Sequence, residues 1–120
     1  IFPDEIEKRD AVARRYNQKL GQSNKVRFPR VIAGARSTWA QYTIQVPDRS
    51  KVQAALKAQG IPTAIYYPIP LSQQKGYREY PAAPTPASEK LCASVISLPL
   101  HPYLDDALID RIATGILAAV

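Results

Sequence analysis

Apolar positions return at helical spacing in some stretches of this chain and at strand spacing in others, and the changes of period mark its elements. In PDEIEKRDAVARRYNQKLG, residues 3–21, Ile6, Ala13, Tyr16 and Leu20 follow one another at seven, three and four positions, the three-to-four spacing and its two-turn multiple, which predicts a helix with one apolar stripe. Pro3 and the acids Asp4, Glu5 and Glu7 suit its positive amino end, and Lys19 and Gly21 suit its close. Arg9, Arg14 and Arg15 stand mostly off the stripe, so this helix is expected to pack lightly and to need another domain to complete its burial. Pro29 and Gly34 break the next stretch into a short extended piece and a loop. From Trp39 the period becomes two, with Ala40, Tyr42, Ile44 and Val46 facing one way and Trp39, Gln41, Thr43 and Gln45 the other. That second face is too polar for a core and too aromatic for plain solvent. It points to a partner domain or subunit, with a solvated face carrying one stray tryptophan as the alternative.

SKVQAALKAQG, residues 50–60, predicts a helix capped by Ser50, with Val52, Ala55 and Leu56 inward and Gly60 as a left-handed stop. IPTAIYY, residues 61–67, reads as a second strand, since Pro62 is tolerable at a strand's first residues. Residues 68–86 hold five of the eleven prolines and form a long loop, with a helical turn near LSQQKGY. Loops of this length in compact domains are functional or disordered, and stiff tyrosines and prolines argue against disorder. A short helix over ASEKLCASV, a buried strand VISLP and a last helix striped by Leu104, Leu108, Ile112 and Ile116 complete the chain. The order predicts an α+β fold: a three- to four-stranded, mainly antiparallel sheet with helices on one face.

Length and composition agree with a single domain spanning residues 1–120, because 46% hydrophobic and 22% charged residues are globular values. One cysteine excludes an internal disulfide framework and suits a reducing, cytoplasmic setting. No leader pattern or apolar run of membrane-spanning length is visible, so neither a signal peptide nor an anchor is expected. The chain starts at Ile1 and contains no methionine, which reads as a piece of a longer protein. The net charge of +6 is uneven, with nine Lys/Arg against four Asp/Glu in residues 1–36. Such a basic third suits an anionic partner or simply a solvated helix face.

Candidate chemistry is sparse. His101 is the only histidine, and its neighbours Asp105 and Asp106 sit where a helix amino end would want them, so LPLHPYLDD reads as a strand-to-helix turn. Cys92 lies in an apolar helical context without a nearby base, as a buried small hydrophobe would. One His and one Cys do not make a metal ligand set, and the five glycines are scattered singly, with no phosphate loop. A nucleic-acid-reading sheet would show several aromatics beside Lys/Arg, and only Trp39 is offered. The tyrosine loop remains. In a strand ending AIYYP, Tyr66 and Tyr67 point to opposite faces, so one joins the core and the other stands at the rim as a rigid donor for a sugar hydroxyl or phosphate oxygen. The alternative is a packing residue whose hydroxyl reaches a backbone carbonyl.

In order along the chain, KRDAVARRYNQKL, WAQYTI, LKAQGIPTAIYYPIPL, GY and SLPLHPYL resemble the carboxy-terminal part of the pyridoxal-phosphate-dependent sugar aminotransferases of the DegT/DnrJ/StrS group. The resemblance covers nearly the whole chain. It implies the small C-terminal domain of a fold-type I enzyme that moves an amino group from glutamate to a keto sugar on a nucleotide, for surface-polysaccharide or antibiotic sugar biosynthesis. The helix at residues 1–20 then leads from a missing large domain that holds the cofactor and its Schiff-base lysine, and a homodimer completes the site. No lysine here lies in a context similar to the Schiff-base segment, so this chain alone is expected to be inactive and to bind no pyridoxal phosphate. Tyr66 and Tyr67 match the family's substrate-contacting segment, while Ser72 stands where the family commonly has histidine. Related dehydratases share this part of the fold. The reading from a different class is a stand-alone basic α+β module that binds nucleic acid or a protein partner.

Overall fold

A computed structural model describes residues 1–120, in the order helix α1 (Phe2–Leu20), strand β1 (Tyr42–Gln45), helix α2 (Arg49–Ala58), helix α3 (Pro86–Ser94), strand β2 (Val95–Leu98) and helix α4 (Asp106–Ala119). No helix is long and apolar enough to cross a membrane. β1 and β2 run antiparallel, pairing Tyr42 with Leu98, Thr43 with Ser97, Ile44 with Ile96 and Gln45 with Val95. Because side chains alternate, Tyr42, Ile44, Ile96 and Leu98 share the face toward the helices and enter one core of 20 buried residues. The opposite face presents Thr43, Gln45, Val95 and Ser97, with the Thr43 and Ser97 hydroxyls 2.8 Å apart.

The α+β class with an antiparallel sheet is what the structure has, but the sheet has two strands where three or four were expected. Two further segments touch it through single bridges, Arg27 with Gln45 on one edge and Ala64 with Ser97 on the other. Prolines limit both bridges. Continuing the outer register places Pro62 opposite Pro99, and on the other edge Pro29 opposite Thr43 and Pro47 opposite Lys25. A proline has no backbone N–H to give, so the Arg27 ladder is stopped in both directions and the Ala64 ladder is stopped toward Ile61. The expected strand over residues 61–67 is instead an extended segment that leaves the sheet after Ala64.

The second difference is at Trp39. Its φ of +50° is left-handed, so the two-residue alternation starts only at Tyr42, and Ala40 is exposed. Trp39 is buried in the core instead of facing a partner, its ring centroid 5.7 Å from that of Tyr42 and its indole N–H donating to Asp10 Oδ1 at 3.0 Å. Tyr42 in turn stacks on Tyr16 of α1 with centroids 4.9 Å apart. Both phenols are satisfied: Tyr16 donates to the Pro99 carbonyl at 2.9 Å and Tyr42 to Asn17 Oδ1 at 2.5 Å. Burial pushes both phenol pKa values well above the ordinary range.

Helices α1 and α2 each pack on α4. The last helix buries Ile109, Ile112, Ala113, Ile116 and Ala119, so its stripe is centred one residue further along than the spacing predicted, and Leu108 is only half-buried. Gly115 allows α2 to approach closely, since a Cβ there would lie 3.1 Å from Leu56 Cδ2. Asp48 caps α2 through Lys51 N–H at 2.9 Å, in place of the expected Ser50, and Gly60 at φ +71° closes it. In α1, Val12, Ala13, Tyr16 and Leu20 are buried, so its second half packs firmly, unlike the light packing expected.

The basic residues of α1 turn out to be largely paired. Arg15 reaches Asp106 at 2.9 Å and Asp110 at 3.2 Å, Lys19 reaches Asp110 at 3.2 Å, and Lys8 and Arg14 pair with Asp4 and Asp10 one turn earlier. The hydrogen bond from Arg15, then that from Lys19, holds the Asp110 carboxyl below the usual aspartate range. Its contribution is present above the ordinary aspartate pKa of about 4 and is lost as the pH falls through the lowered native value. Asp110→Asn is expected to lower the urea midpoint modestly at pH 7, as exposed pairs do, with the gap to the parent closing at pH 3 and below. Denaturation followed by Trp39 fluorescence at several pH values checks this, and a gap independent of pH would contradict it.

Candidate functional site

Residues 66–94 contribute only Pro70 to the buried set, yet they are ordered by a series of tight turns. A short 3-10 turn over Leu71–Gln73 follows Pro70, and backbone bonds run from Gln73 to Pro70, Gln74 to Leu71, Tyr77 to Gln74 and Tyr80 to Tyr77. Arg78 Nε closes the loop on the Gln73 carbonyl at 2.8 Å. Five prolines limit how far this segment can relax. The guanidinium of Arg49 donates to the Cys92 carbonyl and ties α3 to α2.

Between this loop and α3 lies a cleft of about 860 Å³. Tyr66 and Tyr67 both line it, with ring centroids 5.8 Å apart and planes at 71°. They are 46% and 65% exposed, so neither joins the core. The expectation of one inward and one rim tyrosine fails because the chain has already left the sheet at Ala64, and strand alternation no longer governs it. Tyr77 and Tyr80 form a second pair at 6.4 Å. The phenols of Tyr16, Tyr42 and Tyr103 all find partners, whereas these four hydroxyls make no hydrogen bond within the chain.

The far wall comes from α3 and its lead-in: Thr85, Ser88, Leu91 and Cys92. Cys92 is half-buried at the cleft surface rather than enclosed in a core, a correction to its sequence reading. Sequence reasoning missed this wall, although Thr85, Ser88 and Cys92 recur at helical spacing on one side of α3. Ser72 and Gln74 add a hydroxyl and an amide. None of the fifteen lining residues is charged. The cleft therefore offers aromatic faces with neutral donors and acceptors, which suits an uncharged polyhydroxylated ring or a nucleobase and leaves any phosphate charge to be met elsewhere. With no lysine, arginine or histidine in its wall, it fits neither a Schiff base nor a phosphate cradle.

His101 lies outside this cleft, exposed in the turn between β2 and α4, where its Nδ1 accepts from Tyr103 N–H at 3.2 Å. Asp105 caps α4 through Leu108 N–H at 2.7 Å, and Asp106 pairs with Arg15, so neither acid orients the imidazole. No group of three metal-ligating side chains is assembled. The sheet face away from the helices carries no aromatic residue now that Trp39 is accounted for, so the sheet itself offers no stacking platform for nucleic acid.

Comparison with known proteins places these observations. A Pseudomonas aeruginosa protein named UDP-2-acetamido-2-deoxy-3-oxo-D-glucuronate aminotransferase is 41% identical over 116 residues, covering 97% of this chain and 32% of that protein. An Acidithiobacillus ferrooxidans protein, a UDP-N-acetyl-3-dehydro-alpha-D-glucosamine 3-aminotransferase, is 43% identical over 91 residues, covering 76% of this chain and 25% of its own length. The crystal structure of a DegT DnrJ EryC1 StrS aminotransferase from Brucella abortus superposes with a TM-score of 0.89 at 46% identity, over 96% of this chain and 31% of that one. The chain thus spans about a third of the length of the relatives it matches across nearly its full extent. The family model matches residues 2–117, and the chain belongs to the DegT/DnrJ/EryC1/StrS aminotransferase family.

Proposed function

We propose that this chain is the C-terminal small domain, residues 1–120, of a longer pyridoxal-phosphate-dependent aminotransferase that moves an amino group from glutamate to a keto sugar carried on a nucleotide. The observation that carries this reading is the uncharged, hydroxyl-rich cleft on a member of a family of aminotransferases. The names of the two relatives above both describe a 3-keto sugar bearing an N-acetyl group on UDP. A UDP-linked 2-acetamido-3-keto sugar is accordingly the substrate class we assign.

The cofactor, when bound, supplies the electron sink for amino transfer, and since the cleft wall here does not fit it, the preceding part of the protein and a partner subunit hold it. This domain orients and encloses. Tyr66 and Tyr67 offer unpaired hydroxyls to substrate oxygens, and their ring faces cover its apolar side. The proline-stiffened loop loses little conformational freedom on binding, so more of the contact energy appears as affinity. Ser72 gives a short hydroxyl at the cleft wall.

Two outcomes follow. Neither Tyr66→Phe nor Tyr67→Phe removes a group of the cofactor site, so in the full-length enzyme each should raise KM for the sugar nucleotide about two- to tenfold, the worth of one neutral hydrogen bond. Cofactor absorbance should be unchanged, and unaltered KM in both variants would exclude these tyrosines as substrate contacts. The 120-residue chain alone, mixed with glutamate, pyridoxal phosphate and a keto sugar nucleotide, should give no transamination above the rate of free cofactor. Turnover by this chain alone would place the reacting machinery within it and overturn the division of labour.

A further inference from the structure

The basic residues of α1 are largely paired, but three other cations meet in one place. Lys25, Arg27 and Lys90 line a hollow of about 300 Å³ together with Gln45, Pro47 and Ser94. That volume is at the lower end of the range for small-molecule sites. The segment after α1, the end of β1 and helix α3 each supply part of the wall. No acidic residue lines it. Asp48, next to Pro47 in the chain, is occupied as the cap of α2, where it accepts from Lys51 N–H. The side chains of Arg27 and Lys90 make no hydrogen bond or ion pair within the chain, and Lys25 donates to the Val120 carbonyl at 3.0 Å.

The backbone brings these cations together. Arg27 exchanges two hydrogen bonds with Gln45, at 3.0 and 2.8 Å, and residues paired in this way present their side chains to one face of the sheet. Val26 turns the other way into the core, which leaves Lys25 and Arg27 on the same side. Across the hollow stands α3, with Lys90 and Ser94 one turn apart on one flank and Ser88 and Cys92 on the flank that lines the tyrosine cleft. Like charges gathered without an acid repel one another, and a bound anion relieves that repulsion.

We propose that this hollow binds a phosphate group, free or carried on a small molecule, at a site separate from the tyrosine cleft and independent of the enzyme reading. An arginine fork, two ammonium groups, an amide and a hydroxyl offer more donors than the two oxygens of a carboxylate use, and they suit a tetrahedral dianion. A nucleic-acid strand needs cations spread along its backbone, whereas these share one hollow. The bound anion also fastens α3. That helix buries none of its residues, and its hydrogen bonds to other elements come from Arg49 to the Cys92 carbonyl and from Val46 N–H to the Ser94 carbonyl at 3.1 Å.

Lysine acetylation of the full-length protein, read by site-resolved mass spectrometry, tests this. With ionic strength held constant by chloride, about 10 mM inorganic phosphate or glycerol phosphate should slow labelling at Lys25 and Lys90 by at least about threefold. Exposed Lys51 and Lys57 on α2 should label at unchanged rates. Arg27→Gln should abolish the protection, and Arg27→Lys, which keeps the charge, should retain most of it, with circular dichroism confirming the fold of both variants. Equal slowing at every lysine, or none at Lys90, would overturn the site. Slow labelling of Lys25 and Lys90 in chloride alone would show the hollow covered in the whole protein and overturn it as well. Protection by an oligonucleotide but by neither phosphate would overturn the small-molecule occupant. Amide exchange over residues 88–94 should slow in phosphate, and unchanged exchange there would overturn the fastening of α3.

Discussion

The stack of Tyr16 on Tyr42 is the interaction on which the arrangement of the domain depends. One ring belongs to α1 and the other to β1, and their hydroxyls reach the Pro99 carbonyl and Asn17, so a single pair joins a helix, a strand and the turn that leads to α4. Buried phenols are costly unless paired, and these two are paired with groups at fixed places in the backbone and on α1. Trp39 leans on the same stack and ties itself to Asp10. The sheet is thereby set against α1 at a defined position, and β2 carries the tyrosine segment at its outer edge through the Ala64 bridge.

What this core leaves uncovered is as informative as what it covers. Three helices and two strands, joined by Val26, Trp39, Val46, Ile61 and Leu104 from the segments between them, make the apolar core, while the long loop and α3 add Pro70 to the buried residues and nothing else. Their aromatic rings stand open with hydroxyls free, held in place by proline and consecutive turns instead of by packing. A segment can be rigid without being buried when its own backbone supplies the order, and its side chains are then free to meet another molecule. The absence of charge in its wall suits a neutral, polar group at the point of contact.

Much of this was legible in the residues, and the failures share a cause. The helices, the buried strand VISL, the turn at Leu71–Gln73 and the role of Gly60 followed from period and punctuation. The strand count did not, because single prolines act through their cross-strand partners: Pro62 matters only once Pro99 is known to lie opposite. Trp39 was assigned to the wrong face because one left-handed residue shifts the start of the alternation, and a lone φ is invisible to pattern. The basic excess of residues 1–36 leaves an anionic partner and a solvated helix face both open in the sequence, and only the fold shows α4 bringing Asp106 and Asp110 alongside Arg15 and Lys19. Tyr66 and Tyr67 stand out in the sequence by their density of stiff polar groups and do line the cleft, but the wall opposite, with Ser88 and Cys92, needs the loop's closure onto α3.

The central claim is that the tyrosine cleft holds the uncharged part of a nucleotide sugar. Its most direct test is a crystal structure of the full-length protein with a UDP-linked 2-acetamido-3-keto sugar or its amino product bound. The account predicts the Tyr66 or Tyr67 hydroxyl within hydrogen-bond distance of the ligand's sugar or base, and the diphosphate beyond this cleft against cations of the preceding domain or partner subunit. A ligand seated wholly outside the cleft, or with its diphosphate lodged inside it, would contradict the account.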